Sequence, residues 1–209
     1  MNKQAELIEG SARDHGKSQF FTPPKLAQKL VEWAGVSPFM KGPRITRVLE
    51  PSAGNGAIVR PLVAAGAEVF IVEIDQRYVT DLIGAGATGY TTGRDFLTVE
   101  PDEYRPVGHF DLVVGNFPFH ADLRGEFTLH ALKFAPRIVA IYPSNVFYSE
   151  RRIAMWGAVR PTRIAHISRR PWPGATDYVA LELVKRDRFI GDASIVESCL
   201  TEWWTEDWA

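Results

Sequence analysis

Two four-residue runs, Val69-Phe70-Ile71-Val72 and Ile138-Val139-Ala140-Ile141, carry no polar side chain. A strand with one wet face must alternate apolar and polar residues, so runs like these belong to strands buried on both faces. A parallel sheet with helices laid against either side meets that demand. From residue 44 onward the chain fits it. Candidate strands Ile45–Leu49, Glu68–Val72, Phe110–Val114, Arg137–Tyr142, Thr162–Ile167 and Tyr178–Val184 are interleaved with helix candidates at 57–66, 76–83, 123–134 and 149–158. Another helix is expected to open at Thr22-Pro23-Pro24, with threonine as its N-cap and Leu26, Leu30, Val31 and Ala34 as its buried stripe.

The 209 residues suffice for one α/β domain with short appendages. The expected division is a polar N-terminal extension at 1–18, the domain at 19–190, and a Trp-rich acidic tail at 191–209. Trp203, Trp204 and Trp208 in that tail are expected to pack on the domain or on a partner rather than to touch nucleic acid. No apolar run approaches the roughly 18 residues that a membrane span needs, and the N-terminus lacks a signal-peptide core. The single cysteine, Cys199, excludes a disulfide framework or a Cys-based zinc site. The expectation is a cytoplasmic protein with no membrane contact and no metal. The net charge is −1, yet residues 151–190 hold nine Lys/Arg against three Asp/Glu, leaving the rest acidic. The region Arg151–Arg188 is thus either a phosphate-attracting face or solvated surface.

Val48-Leu49-Glu50-Pro51-Ser52-Ala53-Gly54-Asn55-Gly56 follows a candidate strand and precedes a helix. Glycines there allow a tight turn and close approach of a ligand. Glu73 ends the next strand, where a carboxylate can accept both hydroxyls of an adenosine ribose. A nicotinamide site prefers G-x-G-x-x-G/A, and Val59 stands at the last position; no Gly-Lys-Ser/Thr phosphate loop exists. Glu50 would repel phosphates but suits the ammonium of methionine, which points to S-adenosylmethionine. A glycine-bearing turn with no ligand is the alternative.

Phe110-Asp111-Leu112-Val113-Val114-Gly115-Asn116-Phe117-Pro118-Phe119 ends a buried strand in a polar amide and an aromatic–proline–aromatic turn. Ligands of α/β sheets bind at such carboxyl ends of strands. The exocyclic amine of adenine is a poor nucleophile, because its lone pair is delocalised into the ring. Two acceptors aimed at its N–H groups favour a tetrahedral nitrogen with its lone pair free to attack. The Asn116 side-chain oxygen and the Phe117 carbonyl suit that task, and Phe119 suits stacking on a base taken out of a duplex. Asn116 alone reads equally well as a turn residue. Carbon methylation of cytosine needs a nucleophilic cysteine, and Cys199 stands far from this segment.

These segments resemble the amino-methyltransferases of DNA restriction–modification and phage systems. Phe20-Phe21-Thr22-Pro23-Pro24 looks like that family's N-terminal cofactor motif, and Leu49 to Gly56 looks like its glycine motif. Val72-Glu73-Ile74-Asp75 is similar to its ribose-binding strand end. Arg94-Asp95-Phe96-Leu97 is similar to the segment that meets the cofactor adenine, and Asn116 to Phe119 to the catalytic Asn-Pro-Pro-aromatic motif. The resemblance implies a Rossmann-like class I fold, a mostly parallel seven-stranded sheet with its last-inserted strand antiparallel. It also implies transfer of a methyl group from S-adenosylmethionine, most simply to adenine N6 in DNA. The implied cofactor residues are Phe21, Thr22, Glu50, Pro51, Gly54, Gly56, Glu73, Ile74, Asp95 and Phe96; the implied catalytic residues are Asn116, Phe117, Pro118 and Phe119. Bland alternatives stand beside them: Thr22 as a helix cap, Asp95-Phe96 as a turn with a core Phe, and Tyr178 as packing rather than a base-stacking ring.

Two departures matter. Phe117 replaces the first proline of the catalytic motif, which also occurs in a similar form in ribosomal RNA adenine dimethyltransferases. The chain also has no room for a recognition domain, so specificity must come from short inserts, a homodimer or a recognition subunit, or be lax. RNA adenine, cytosine N4, a protein glutamine and a non-catalytic binding subunit therefore remain rival readings.

Overall fold

The computed structural model describes residues 20–40, 45–104, 109–119, 123–147, 153–168, 171–172, 177–187 and 199–208. Eight strands form one sheet: β1 Arg47–Glu50, β2 Glu68–Glu73, β3 Gly89–Thr92, β4 Leu112–Asn116, β5 Arg137–Pro143, β6 Val159–Ile167, β7 Tyr178–Lys185 and β8 Leu200–Trp204. Their spatial order is β3-β2-β1-β4-β5-β7-β6-β8. Only β7 runs against the others, inserted antiparallel between β5 and β6. The order reverses between β1 and β4, so the crevice at their carboxyl ends is the place where a doubly wound sheet takes its ligand.

Among the described residues, five α-helices accompany the sheet: α1 Pro24–Trp33, α2 Val59–Ala64, α3 Val79–Gly84, α4 Leu123–Ala131 and α5 Ile153–Ala158. The apolar runs divide by the strand period of two. Val69 and Ile71 of β2 pack in one core with Leu26, Leu62 and Leu82 of α1, α2 and α3. Phe70 and Val72 pack in a second core with Phe127 of α4 and Met155 and Trp156 of α5. Along β5, Val139 and Ile141 join the first core while Ile138, Ala140 and Tyr142 join the second. Helices therefore cover both faces, as the unbroken runs require.

The structure adds two strands that periodicity did not single out. β3 is an edge strand, Gly-Tyr-Thr-Thr, with no residue fully buried and so no apolar run to betray it. β8 lies in the segment read as an acidic tail, and it makes the sheet eight-stranded by pairing parallel with β6. Its inward Trp204 is only 2% exposed and meets Trp33 of α1 edge to face at 5.4 Å. The Trp33 indole N–H donates to Glu202, and the Trp208 indole N–H donates to the Ser168 carbonyl at 2.8 Å. Residues 1–18 and 191–198 lie outside the described residues.

Thr22 does not cap α1. The N-cap position is Pro23, with no side-chain hydrogen bond, and Thr22 is buried one residue earlier. The helices expected at 57–66 and 76–83 also begin late. The turn after β1 continues to residue 58, and Asp75 instead opens a short 3-10 turn by accepting the Arg77 N–H at 3.0 Å. For the helix expected at 149–158, the described part is 153–158.

Gly56 adopts φ +78, and a Cβ there would come within 3.1 Å of the Ala85 Cβ. Gly56→Ala is therefore expected to lower unfolding stability by about 1–2 kcal/mol, the cost of a left-handed L-residue, before any crowding is added. Urea denaturation measures it; an unchanged midpoint would show that the turn relaxes freely.

Candidate active site

The loop leaving β1 is tied to its neighbours. The Gly54 N–H (φ +51) donates to Glu73 Oε2 at 2.6 Å, and the Asp75 N–H donates to Glu73 Oε1 at 2.8 Å. Burial pushes the Glu73 carboxyl up, and these N–H groups partly offset it. The Ser52 hydroxyl donates to the Asn116 carbonyl at 3.1 Å, which joins the end of β1 to the end of β4.

Two cavities meet at Ser52. Phe21, Thr22, Glu50, Gly54 and Asn116 line the first. Pro51, Glu73, Ile74, Asp95, Phe96 and Pro118 line the second. Eleven of the fourteen residues singled out in the sequence thus line one or other of two cavities that share Ser52, together the trough. Gly56 shapes the turn instead, donating its N–H to the Ala53 carbonyl at 2.9 Å. Phe117 is 1% exposed and packs against Phe127 and Tyr142, with ring centroids 5.6 Å away in each case. Its side chain anchors the loop in the core. Phe119 sits in an aromatic cluster with Phe20 at 5.3 Å, Trp172 at 5.2 Å and Tyr178 at 5.1 Å. Asp95 accepts the Leu97 N–H at 2.9 Å, and Phe96 packs against Phe127, His130 and Phe134. The turn-and-core geometry is present at that pair, along with its place at the cavity wall.

Two oxygens stand out. Glu50 Oε2 and Asn116 Oδ1 are buried and have no hydrogen-bond partner. Native proteins rarely leave such atoms unsatisfied. Burial, with Glu73 nearby, pushes the Glu50 carboxyl well above the usual range. The Asn116 side-chain N–H donates to the Phe20 carbonyl at 3.1 Å, which leaves Oδ1 as the open end of the amide.

Sequence reasoning missed two contributors. Arg124, on the first turn of α4, donates to the Phe119 carbonyl from Nε at 3.0 Å and from a second nitrogen, and to Asn145 Oδ1 at 2.6 Å. It is 5% exposed and clamps the loop that lacks the first proline of the motif. Trp172 donates to the Phe21 carbonyl at 2.7 Å, and Phe20 accepts from Asn116, so both hold the N-terminal segment across the trough. Arg124 gives no signal beyond lying just after the motif, and Trp172 lies more than 50 residues from it.

The basic region is partly engaged within the fold. Arg163 pairs with Glu182 at 3.6 Å and Glu202 at 3.3 Å and covers the Trp33 ring, and Arg186 donates to the Trp156 and Val159 carbonyls. Arg160 and Lys185 are exposed. Arg151, Arg152, Arg169, Arg170 and Arg188 lie outside the described residues. Among the described residues, no group of three or more His, Cys, Asp or Glu could hold a metal ion, and no helix is long and apolar enough to cross a membrane.

No protein-family model matches the sequence, and no curated protein matches it significantly. Solved structures share its fold. The 23S rRNA methyltransferase ErmE superposes with a TM-score of 0.58 at 21% identity, covering 86% of this chain and 73% of that one. The M protein of the type I restriction enzyme EcoKI gives 0.61 at 13% identity, over 82% of this chain and 45% of that one. Magnesium protoporphyrin IX methyltransferase from Synechocystis PCC 6803, solved with bound S-adenosylmethionine, gives 0.60 at 16% identity, over 88% and 95%. The chain thus has the Rossmann-like fold of class I methyltransferases. A ribosomal RNA and a porphyrin among the named acceptors show that this fold does not set the substrate.

Proposed function

We infer that the protein binds S-adenosylmethionine along the trough and methylates the exocyclic amine of a nucleobase, with adenine N6 in DNA as the leading substrate. The observation that carries this reading is the pair of unpartnered buried oxygens, Glu50 Oε2 and Asn116 Oδ1, in residues lining one cavity. One is a carboxyl oxygen that a cation would satisfy; the other is an acceptor awaiting a donor.

The donor set fits the cofactor. Glu50 would take the ammonium of the methionine part, Glu73 the ribose hydroxyls, and Asp95 with Phe96 the adenine, all from the walls of adjoining cavities. When bound, the cofactor supplies a sulfonium methyl that an incoming amine can displace. Asn116 Oδ1 would accept a proton-bearing N–H of that amine, orienting its lone pair, with the Phe117 carbonyl as second acceptor. The catalytic contribution is positioning rather than proton abstraction. The cavities are ≈ 40 and ≈ 90 Å³, well below the roughly 300–1,000 Å³ of a ligand pocket. Cofactor entry therefore requires the walls of these cavities to open.

RNA adenine is the second reading, favoured by Phe117 at the position after the catalytic asparagine. A titration with S-adenosylmethionine, followed by transfer of labelled methyl to DNA, RNA and protein offered in parallel, separates the readings. Label in DNA supports the first reading and label in RNA the second. Absence of cofactor binding would defeat both and favour a non-catalytic module.

A further inference from the structure

We propose that the groove floored by the stacked pair His166 and Trp203 binds an unpaired nucleobase flanking the target on the same nucleic-acid strand. The proposal rests on the nucleobase reading above and adds to it a second, non-catalytic subsite. The groove has a volume of ≈ 650 Å³ and is bordered by Ser144, His166, Ser168, Asp177, Tyr178 and Trp203. Its floor is flat: the His166 and Trp203 rings stack with centroids 4.2 Å apart and an interplanar angle of 18°. Trp203 is 67% exposed, so the indole face opposite His166 meets solvent.

Its two neighbours in the tail behave differently. Trp204 and Trp208 are 2% and 3% exposed and belong to the core. Trp203 points outward from β8 and belongs to neither core. An indole held flat by a stacked imidazole, yet open on its other side, is a ready platform for a base, whose π-face stacks whatever the sequence. Ser144 borders the groove, and Ser168, whose hydroxyl donates to the Trp204 carbonyl at 2.6 Å, keeps its lone pairs to accept from a base.

Position assigns the base to a flanking nucleotide. Trp203 lies on β8, four strands from Asn116 on β4 in the order β4-β5-β7-β6-β8. At about 4.8 Å per strand that is about 19 Å, too far to hold the target base itself. Continuity runs through Tyr178, which borders the groove and packs against Phe119 beside the catalytic amide. A strand reaching Asn116 can thus lie along the carboxyl edge of the sheet and lay a neighbouring base on Trp203. A paired base, stacked within a duplex, cannot, so the groove selects unpaired substrate.

The test is equilibrium binding of fluorescein-labelled single-stranded oligodeoxyadenylate, its RNA counterpart, and a duplex, to wild-type protein, Trp203→Ala and Trp203→Phe. Trp203→Ala should weaken single-strand binding by about 5- to 150-fold, the range that loss of one base–aromatic stack gives. Trp203→Phe should restore most of it. Duplex affinity, S-adenosylmethionine affinity and the salt dependence of binding should be unchanged, since neither phosphate contacts nor the fold are altered. Equal single-strand affinity of Trp203→Ala and wild type, with wild type still methylating nucleic acid, would overturn this subsite and leave the function intact. Wild type that neither binds nor methylates nucleic acid would overturn both. A wild-type dimer abolished by Trp203→Ala, with oligonucleotide affinity unchanged, would give the face to a second copy and overturn the proposal.

Discussion

Replacing Asn116 by alanine is expected to cut methyl transfer by about 10²–10³-fold, the cost of removing one preorganised hydrogen-bonding group from a water-excluded site. Cofactor affinity should barely change. The amide cannot be turned the other way, because its nitrogen is the only end able to donate to the Phe20 carbonyl. Oδ1 is consequently fixed as a bare acceptor in a buried position, a state that costs about 1–3 kcal/mol while unsatisfied. Only an arriving N–H relieves that cost, so the energy is returned when the amine is in place. The bond from Ser52 reaches the Asn116 main-chain carbonyl, so the loop keeps its anchor when the side chain is removed. Asn116→Asp should fail as well, because a carboxylate cannot donate to Phe20. Single-turnover transfer of labelled methyl, set beside a calorimetric titration of the cofactor, separates chemistry from binding. Full activity in the alanine variant would remove Asn116 from the reaction.

The sheet was legible wherever burial on both faces forced an unbroken apolar run. β2 and β5 are the clearest cases, since no other arrangement hides Val69 to Val72 or Ile138 to Ile141. β3 and β8 were not legible, for opposite reasons. β3 has no fully buried residue and is held by main-chain pairing with β2, which leaves no side-chain signature. β8 buries only Trp204 fully, and Glu202 on the same face disguised it. That carboxylate is engaged by the Trp33 indole and by Arg163, partners more than 30 residues away that no local pattern can supply.

The trough was more legible than its supports. Glycine turns and strand-end carboxylates have local reasons to exist, so Gly54, Glu73 and Asn116 could be picked out by position alone. What keeps them in place is non-local. Arg124 fastens the Phe119 carbonyl to Asn145, and Trp172 holds the Phe21 carbonyl. Phe117 gives up the backbone stiffness of a proline but secures the loop by packing its ring against Phe127 and Tyr142. A proline stiffens a loop through its own backbone, whereas this phenylalanine does so through the core, which only the assembled fold reveals. Thr22 shows the converse. Its residue type suggested a helix cap, but it is buried at the cavity wall and caps nothing.

Glu50→Gln is expected to weaken S-adenosylmethionine binding by about 2–5 kcal/mol, the usual loss when one partner of a buried charge pair is removed, or about 30- to several-thousand-fold. The same substitution should make the free protein more stable. Burial, then the neighbouring Glu73, raise the Glu50 carboxyl above its usual value, so the folded state binds its proton more tightly than the unfolded chain does. Between the unfolded value of about 4.5 and that raised value the native protein holds more protons, and stability must fall as pH rises. Above the raised Glu50 value the free protein carries this penalty in full. Glutamine removes it, and each kcal/mol recovered should appear as a rise of about 2–4 °C in the unfolding midpoint of a chain this size. An ammonium placed beside Glu50 reverses the argument. It favours the carboxylate, so binding should release a proton and affinity should decline as pH falls through the raised Glu50 value. Calorimetry in two buffers of different ionisation enthalpy measures that proton directly, and glutamine should abolish its release. If Glu50→Gln binds the cofactor as tightly as wild type, with the same proton count, the buried carboxylate is not the counter-charge and the methionine end lies elsewhere.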